Sequence, residues 1–389
     1  MKTIFVVITA RPSYSRIKTY LEELKISKNY DLKIVLASSS LVRNYGDLRT
    51  ILKEDGFVVN YEISNMMSPN GLISMSKTTA LQIYELSTIF INEKPDAVVT
   101  IADRFETIAT SIAAAYSNIP LIHVQGGEIT GNIDEKTRHA NTKLADLHLV
   151  STNLARERVI QMGEDPSKVF NCGCPSIDLA KKAIQSDFNI KDIIDSYSGI
   201  GNLKDEYYKN YIVILQHPTT NNFEKSESEI TITLEACLKY NKQVFVFWPN
   251  ADAGTDGTSK GIRKFREKYN PNNFSFHKNF KPNDFVRLIH NSDFLIGNSS
   301  AGIRETSYLK IPTINIGDRQ INRDRGSNVF DCDYDSEQIH NCIKNILNKN
   351  HKIDSNLIYG DGSAAIKMIE AMNNFDYSFT KTFKSVNEK

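Results

Sequence analysis

Short, uninterrupted apolar runs alternate along this chain with longer stretches of helical spacing. Thr3 to Thr9 is a run of β-branched residues and one Phe, and apolar positions follow at Ile17, Tyr20, Leu21 and Leu24. A run that does not alternate suits a parallel strand buried on both faces, and the spacing after it predicts a helix. The pair recurs at Leu32 to Ala37 with a helical segment to Leu52, at Ala97 to Ala102 with an alanine-rich helix to Tyr116, and at Leu147 to Ser151 with a helix to Met162. Val169 to Gly173 is one more run, and from Lys181 to Asn210 the sequence turns charged and weakly patterned around Gly199-Ile200-Gly201. Apolar runs then resume at Tyr211 to Leu215, Gln243 to Trp248, Phe294 to Gly297 and Thr313 to Ile316. Such alternation implies right-handed crossovers and doubly wound sheets. The predicted class is α/β, with two Rossmann-like domains over 1–178 and 179–366 and a C-terminal helix and tail over 367–389. No repeat of 20 to 50 residues is visible, so the halves repeat architecture and not sequence.

Ligands in such sheets sit at the carboxyl ends of the strands, and the polar residues there are the candidates. Arg11 and Ser15 follow the first strand in a polar turn, and Asp103 and Arg104 follow Ala97 to Ala102. Arg11 suits phosphate binding, while Asp103 also suits a helix cap beside a solvated Arg104. The densest polar stretch is His123-Val124-Gln125-Gly126-Gly127-Glu128 with Gly131, Asp134, Glu135, Arg138 and His139. Its paired glycines point to a sharp turn or a close backbone approach. By spacing alone Asp134 and Arg138, at i,i+4, read as a solvated ion pair, but glycines, carboxylates and histidines crowded into a segment after a buried strand point to function. In the second half, Asn298, Ser299 and Ser300 stand between an apolar run and a helical pattern, presenting N–H groups and hydroxyls to an anion. Glu305, about one and a half turns along, suits a ribose, because a carboxylate accepts from two neighbouring hydroxyls. The Ser pair also suits an ordinary N-cap. Of Arg319, Arg323 and Arg325 beyond Gly317, one reaches back to a phosphate or base and the others are solvated.

Composition narrows the partners. The chain has 389 residues, 40% apolar, enough for two cores. Its 47 basic and 46 acidic residues form no run of like charge, so no nucleic-acid or membrane partner is expected. Ile4 to Ile8 is too short for a signal peptide and nothing approaches a transmembrane span, which makes a cytoplasmic protein the expectation. Among five cysteines only Cys172 and Cys174 are close together, without zinc spacing, so neither a structural metal nor a disulfide is expected.

Together these residues resemble the hydrolysing UDP-N-acetylglucosamine 2-epimerases of bacterial sialic-acid pathways and the epimerase half of the animal bifunctional enzyme. The matching motifs are Arg11 with Tyr14-Ser15, Asp103-Arg104-Phe105, Gly126-Gly127-Glu128 with Asp134 and Arg138-His139, and Gly173-Cys174-Pro175-Ser176. They continue with Gln216-His217-Pro218, Pro249-Asn250, Asp252-Ala253-Gly254, Gly297 to Glu305, Gly317 with Arg319-Gln320, and Tyr359-Gly360-Asp361-Gly362. The resemblance implies a glycosyltransferase-B-like architecture with the nucleotide sugar in the interdomain cleft and a C-terminal helix returning to the first domain. It implies UDP contacts from Arg11, Ser15, Arg104, His217, Asn250, the backbone near Phe280, Ser299, Ser300, Glu305 and Arg319. Asp103 and Asp134 are its acid and base candidates, with Glu128 in a supporting part and His217 near the diphosphate. It also implies a homodimer or homotetramer and requires neither cofactor nor metal.

The chemistry implied is elimination followed by hydration, giving UDP and free N-acetylmannosamine. Two positions depart from the family. Many members carry a carboxylate where this chain has Gln125, and several carry a histidine near Ser40. Lys278 matches part of the animal enzyme's feedback site but Asn279 does not, so feedback is not carried over. The departures keep three other readings open: a diacetamido-trideoxy sugar nucleotide as substrate, a glycosyltransferase of the same architecture, and a nucleotide-sugar-binding protein without turnover.

Overall fold

The computed structural model describes residues 1–43, 47–67, 71–130, 133–219, 223–249, 254–348, 353 and 356–385. Two compact units divide the chain. One takes in Met1–Ile129, Ile133–Asp178 and Ile358–Lys389, and the other Thr130–Asn132 and Leu179–Leu357.

In the first unit β1 (Lys2–Ile8), β2 (Tyr30–Ala37), β3 (Val59–Ile63), β4 (Ala97–Ile101), β5 (Leu121–Val124), β6 (Leu147–Val150) and β7 (Val169–Asn171) form one sheet in the order β3-β2-β1-β4-β5-β6-β7. Every neighbouring pair is parallel. Pleating sends Ile4, Val6 and Ile8 into one core and Phe5 and Val7 into the other, which is why the run could not alternate with polar residues. Because β1 lies between β2 and β4, the order reverses beside it, and the loops after β1 and β4 diverge at a switch point.

The second unit repeats the plan with β8 (Ile200–Gly201), β9 (Ile212–Leu215), β10 (Val244–Phe247), β11 (Phe274–His277), β12 (Phe294–Gly297), β13 (Thr313–Ile316) and β14 (Val329–Cys332). The order is β14-β13-β12-β9-β10-β11-β8, parallel except for β8 against β11, with the reversal between β9 and β12. The α/β, doubly wound class read from the alternation is therefore the fold. The weakly patterned stretch yields the helix Ile190–Asp195 and β8, which the sequence did not announce.

Two local expectations are corrected. Arg11 and Ser15 do not lie in a turn, because the helix Arg11–Ile26 begins at Arg11, where Pro12 suits the first helical turn. The Ser-Ser loop does not lead into a long helix either. A 3-10 turn covers Ser300–Gly302, with Ser299 Oγ accepting from the Ala301 N–H at 3.3 Å, and the α-helix Glu305–Leu309 starts at Glu305 itself.

The returning C-terminal segment is tied to its unit by the side chain of Asp178. One carboxylate oxygen accepts from the Ala364 N–H at 2.9 Å and the other from the Ala365 N–H at 2.7 Å, capping the helix Ala364–Asn373. Beside it the Cys174 N–H donates to the Tyr359 carbonyl at 2.8 Å, and Gly173 (φ 85°) leaves room for that backbone. Met368 and Met372 of the capped helix are fully buried in the first core. Further on, Lys381 donates to the Ala145 carbonyl at 2.5 Å and reaches the buried Glu164, which also takes Lys143 at 2.6 Å and His148 at 3.0 Å. Replacing Asp178 by Ala removes a cap that serves two N–H groups. The expected loss is about 1–2 kcal/mol of unfolding free energy by urea denaturation, and an unchanged midpoint would dismiss the cap as a stabilising contact.

Candidate active site

The first unit gathers its polar groups around the ends of β1, β4 and β5. Asp103, 6% exposed, follows Ala102, whose φ of 59° lies in the left-handed region. Its carboxylate receives a guanidinium N–H of Arg138 and has Arg16 at 3.6 Å on its other oxygen. Arg138 is fully buried and also donates to the Glu128 carbonyl at 2.7 Å. The solvated reading that the spacing alone suggested for Arg138 does not hold, since its charge is neutralised inside the unit by a carboxylate 35 residues away in sequence. The helix Thr107–Tyr116 starts after Glu106, whose own side chain makes no capping hydrogen bond. Arg104 is not solvated, because its Nε donates to Glu106 at 2.8 Å.

His123 sets the carbonyl that precedes Asp103. Its Nε2 lies 3.0 Å from the Ala102 oxygen and its Nδ1 3.1 Å from the Thr142 hydroxyl. A carbonyl only accepts, so Nε2 carries the proton and Nδ1 accepts from Thr142. Burial pushes the imidazole down to about 3, against the hydrogen bond to the Ala102 carbonyl, which acts in the other direction, and the ring is neutral at physiological pH. The two glycines fit around this ring and the chain beyond it. A Cβ on Gly126 would come within 2.9 Å of His123 Nδ1 and Thr142 Oγ1, and one on Gly127 (φ 75°) within 2.2 Å of the Ala155 oxygen.

Gln125, at the end of β5, is fully buried with φ 67°. Its amide donates to Cys174 Sγ at 3.1 Å, Cys174 contacts Ser176 Oγ at 3.0 Å, and Gln125 Oε1 accepts no hydrogen bond. Ser38, Ala102 and Gln125, after β2, β4 and β5, all hold positive φ, a cost that clusters at functional sites. Ser40 is buried, joins β2 to β1 through its N–H on the Thr9 carbonyl, and donates its hydroxyl to the Ala37 carbonyl at 2.7 Å. Glu128 is buried, Asp134 is half-buried in the first turn of the helix Ile133–Leu144, and His139 pairs with Glu135 at 3.3 Å. Arg11 and Ser15 lie half-buried in the first turns of their helix.

The second unit holds its switch point with a neutral lock. Gly297 (φ 137°) lies so close to Leu215 that a Cβ would come within 2.1 Å of the Leu215 oxygen. One residue on, the side chain of Asn298 pairs twice with the His217 backbone, accepting from its N–H and donating to its carbonyl, both at 2.8 Å. The Asn298 carbonyl accepts from Arg319 at 3.1 Å and Gln320 at 2.9 Å. This brings His217, Ser299, Ser300 and Arg319 to adjoining loops. Of the other arginines, Arg323 is buried and donates to Gln320 Oε1 at 2.7 Å, and Arg325 pairs with Asp331 at 2.5 Å, so neither is solvated as expected. Glu305 keeps one carboxylate oxygen, Oε2, buried with no hydrogen bond from the chain. Phe280 is buried and stacked on Tyr197 at 3.8 Å between centroids. Asn250, Asp252, Ala253 and Gly131 lie outside the described residues.

Arg16 is the site residue the sequence did not flag, since one arginine on a helix carries no signal of its partner. Among the described residues no group of three His, Cys, Asp or Glu side chains is placed to hold a metal ion, and no helix is long and apolar enough to cross a membrane.

The chain matches the protein family described as UDP-N-acetylglucosamine 2-epimerase over residues 22–373. It is 29% identical over 365 residues to the UDP-N,N'-diacetylbacillosamine 2-epimerase (hydrolyzing) of Legionella pneumophila, covering 94% of each. It is 32% identical over 396 residues to the polysialic acid biosynthesis protein P7 of Escherichia coli, covering 99% of this chain and 97% of that protein. Among solved structures, it is similar in fold to the UDP-GlcNAc 2-epimerase of Neisseria meningitidis bound to UDP-GlcNAc, at a TM-score of 0.80 and 20% identity, covering 96% of this chain and 100% of that one.

The neutral His123 has a consequence for stability. Below the ordinary imidazole value of 6.5 the unfolded chain takes up a proton that the folded ring refuses until about pH 3, so stability falls with pH across that window. His123→Gln does not titrate there. Its unfolding free energy, less than that of the parent at pH 7, is expected to drop by about 2 kcal/mol less than the parent's between pH 6.5 and 5, and identical slopes would contradict a neutral buried ring.

Proposed function

The chain belongs to the UDP-N-acetylglucosamine 2-epimerase family, and on that premise we propose that it is a hydrolysing 2-epimerase, converting UDP-N-acetylglucosamine to UDP and free N-acetylmannosamine. The observation that carries the proposal is Asp103, a carboxylate at a switch point, oriented by a left-handed residue and held by a buried arginine. The hydrolysing outcome is supported by the Legionella relative, named a hydrolyzing enzyme and matched along nearly its whole length.

In this reading Asp103 and Asp134 carry the proton transfers at C2, with Glu128 beside them. One base takes the C2 proton, the C1–O bond breaks, and its electron pair leaves with UDP, giving a C1=C2 double bond. Water then adds its hydroxyl to C1 while a proton is delivered to the opposite face of C2. Charge developing on UDP is met by Arg11, Arg104, Arg319 and His217 and by the hydroxyls of Ser15, Ser299 and Ser300. Glu305 accepts from the ribose, consistent with its unused buried oxygen, and the backbone at Phe280 meets the base. Asn250 is assigned to the same set. A second reading, a diacetamido sugar nucleotide as substrate, is favoured by the name of the Legionella relative.

Asp103→Asn is expected to lower kcat by about 100-fold or more while leaving the Kd for UDP, by calorimetry, unchanged. Full activity would remove Asp103 from the chemistry. Glu305→Ala is expected to weaken UDP binding on the order of 10-fold or more, and an unaltered Kd would displace the ribose from that position. The reaction itself is read by proton NMR in deuterated water. UDP and N-acetylmannosamine bearing deuterium at C2 are expected from UDP-N-acetylglucosamine. Product from the diacetamido nucleotide alone would establish the second reading, and UDP binding without turnover of either would refute the hydrolytic assignment.

A further inference from the structure

The strand β14 ends at Cys332, and the helix Ser336–Leu347 begins after a turn of three residues. That turn is fastened at both ends. The Asp335 carboxylate accepts from the Glu337 N–H at 3.0 Å and the Gln338 N–H at 2.8 Å, and Gln338 Oε1 accepts from the Asp333 N–H at 3.2 Å. With the turn fixed, Cys342 of the helix packs against the same core cluster that contains Cys332. The two thiols, ten residues apart in sequence, are hydrogen-bonded to each other, and neither is in a disulfide.

The two sulfurs are not equivalent. Cys332 is buried, whereas Cys342 is only half-buried. The hydrogen bond from Cys332 lowers the Cys342 thiol below its ordinary range, against burial and the Asp331 carboxylate. The same bond, with burial and the carboxylates of Asp333 and Asp331, pushes Cys332 up. A thiolate is the attacking form, so Cys342 is the nucleophile and Cys332 the partner that resolves it. The other cysteines lack this arrangement: burial pushes Cys172 and Cys237 up to about 12, and Cys174 is fully buried.

We propose that Cys332 and Cys342 form a redox site that a hydroperoxide closes to a disulfide. The Cys342 thiolate attacks the terminal peroxide oxygen, the O–O bond breaks, and the departing oxyanion takes up a proton, leaving a sulfenic acid on Cys342. The Cys332 sulfur then attacks the Cys342 sulfur, the S–O bond breaks, and hydroxide leaves with the Cys332 proton as water. Two thiols thus give up two electrons and two protons, and one hydroperoxide is reduced to an alcohol and water. The ring so closed contains Tyr334. A Cβ on Gly317 (φ 72°) would come within 2.6 Å of the Tyr334 ring, and the Tyr334 hydroxyl accepts from the Asn298 side-chain amide at 3.3 Å. The Gly317 N–H itself donates to the Cys332 carbonyl at 2.9 Å. The disulfide therefore stands directly behind the loops that carry Arg319 and Ser299.

The test uses the full chain, reduced, then treated with hydrogen peroxide at neutral pH, alkylated with iodoacetamide in urea and digested with trypsin. Cleavage after Arg325 and Lys344 places both cysteines in one peptide that holds none of the other three. That peptide is expected to be two hydrogens lighter and free of alkyl groups, so that two of the five thiols are lost, and dithiothreitol should restore both. In Cys332→Ala the oxidation should stop at a Cys342 sulfenic acid that dimedone captures, and in Cys342→Ala the Cys332 thiol should remain alkylatable. Alkyl groups on both cysteines of the treated parent overturn the proposal, however the variants fold. A sulfinic acid on Cys342 with no disulfide overturns it as well.

Discussion

A carboxylate and a guanidinium removed from water together set the terms for the first unit. Asp103 and Arg138 each have a large desolvation cost, and removing one partner of such a pair leaves a buried charge uncompensated, a loss of about 3–5 kcal/mol. Position is therefore strongly specified around them. Arg138 must keep its helix close enough to reach Asp103 and the Glu128 carbonyl at once, and Ala102 must keep a left-handed conformation so that the carboxylate meets the guanidinium. His123 completes the arrangement without adding a charge, because burial holds its ring neutral against the Ala102 carbonyl.

The second unit solves the equivalent problem with neutral groups. Two hydrogen bonds between the Asn298 side chain and the His217 backbone join the loops on either side of the reversal, and the Asn298 carbonyl collects Arg319 and Gln320. A neutral lock has little pH dependence of its own, and it leaves Arg319 with donors beyond the one directed at Asn298. The difference suits the two proposed tasks, since proton transfer needs a carboxylate held in one orientation whereas nucleotide binding needs donors gathered at one place.

Central strands were legible because burial on both faces forbids polar residues, which is why β1, β4, β9 and β12 announced themselves. Two edge strands, β3 and β8, escaped for the converse reason, although β7, also at an edge, was read as an apolar run. β3 alternates exposed and covered positions, and β8 has two exposed residues. β11 is central, yet it carries Ser275 and His277, which are admissible in a core because they hydrogen-bond each other at 2.8 Å. At the sites, residue types at strand ends were readable and their partners were not. Asp134 and Arg138 looked like neighbours on a helix surface, while the contact that buries Arg138 comes from another strand end. The short helix at Glu305 was misjudged because a 3-10 turn stabilised by a serine side chain has the same small polar residues as a helix start.

The cap that Asp178 places on the helix Ala364–Asn373 joins residues separated by 186 positions. During synthesis the first unit would therefore wait for its last piece while Leu179–Leu357 emerges from the ribosome, an interval of roughly ten to forty seconds at ordinary elongation rates. Through that interval the core surface that Met368 and Met372 will cover stands open, whereas the second unit, almost continuous in sequence, has all it needs to fold. The order of completion in the nascent chain is thus the reverse of the order of translation, and the open core is a surface for chaperones to shield.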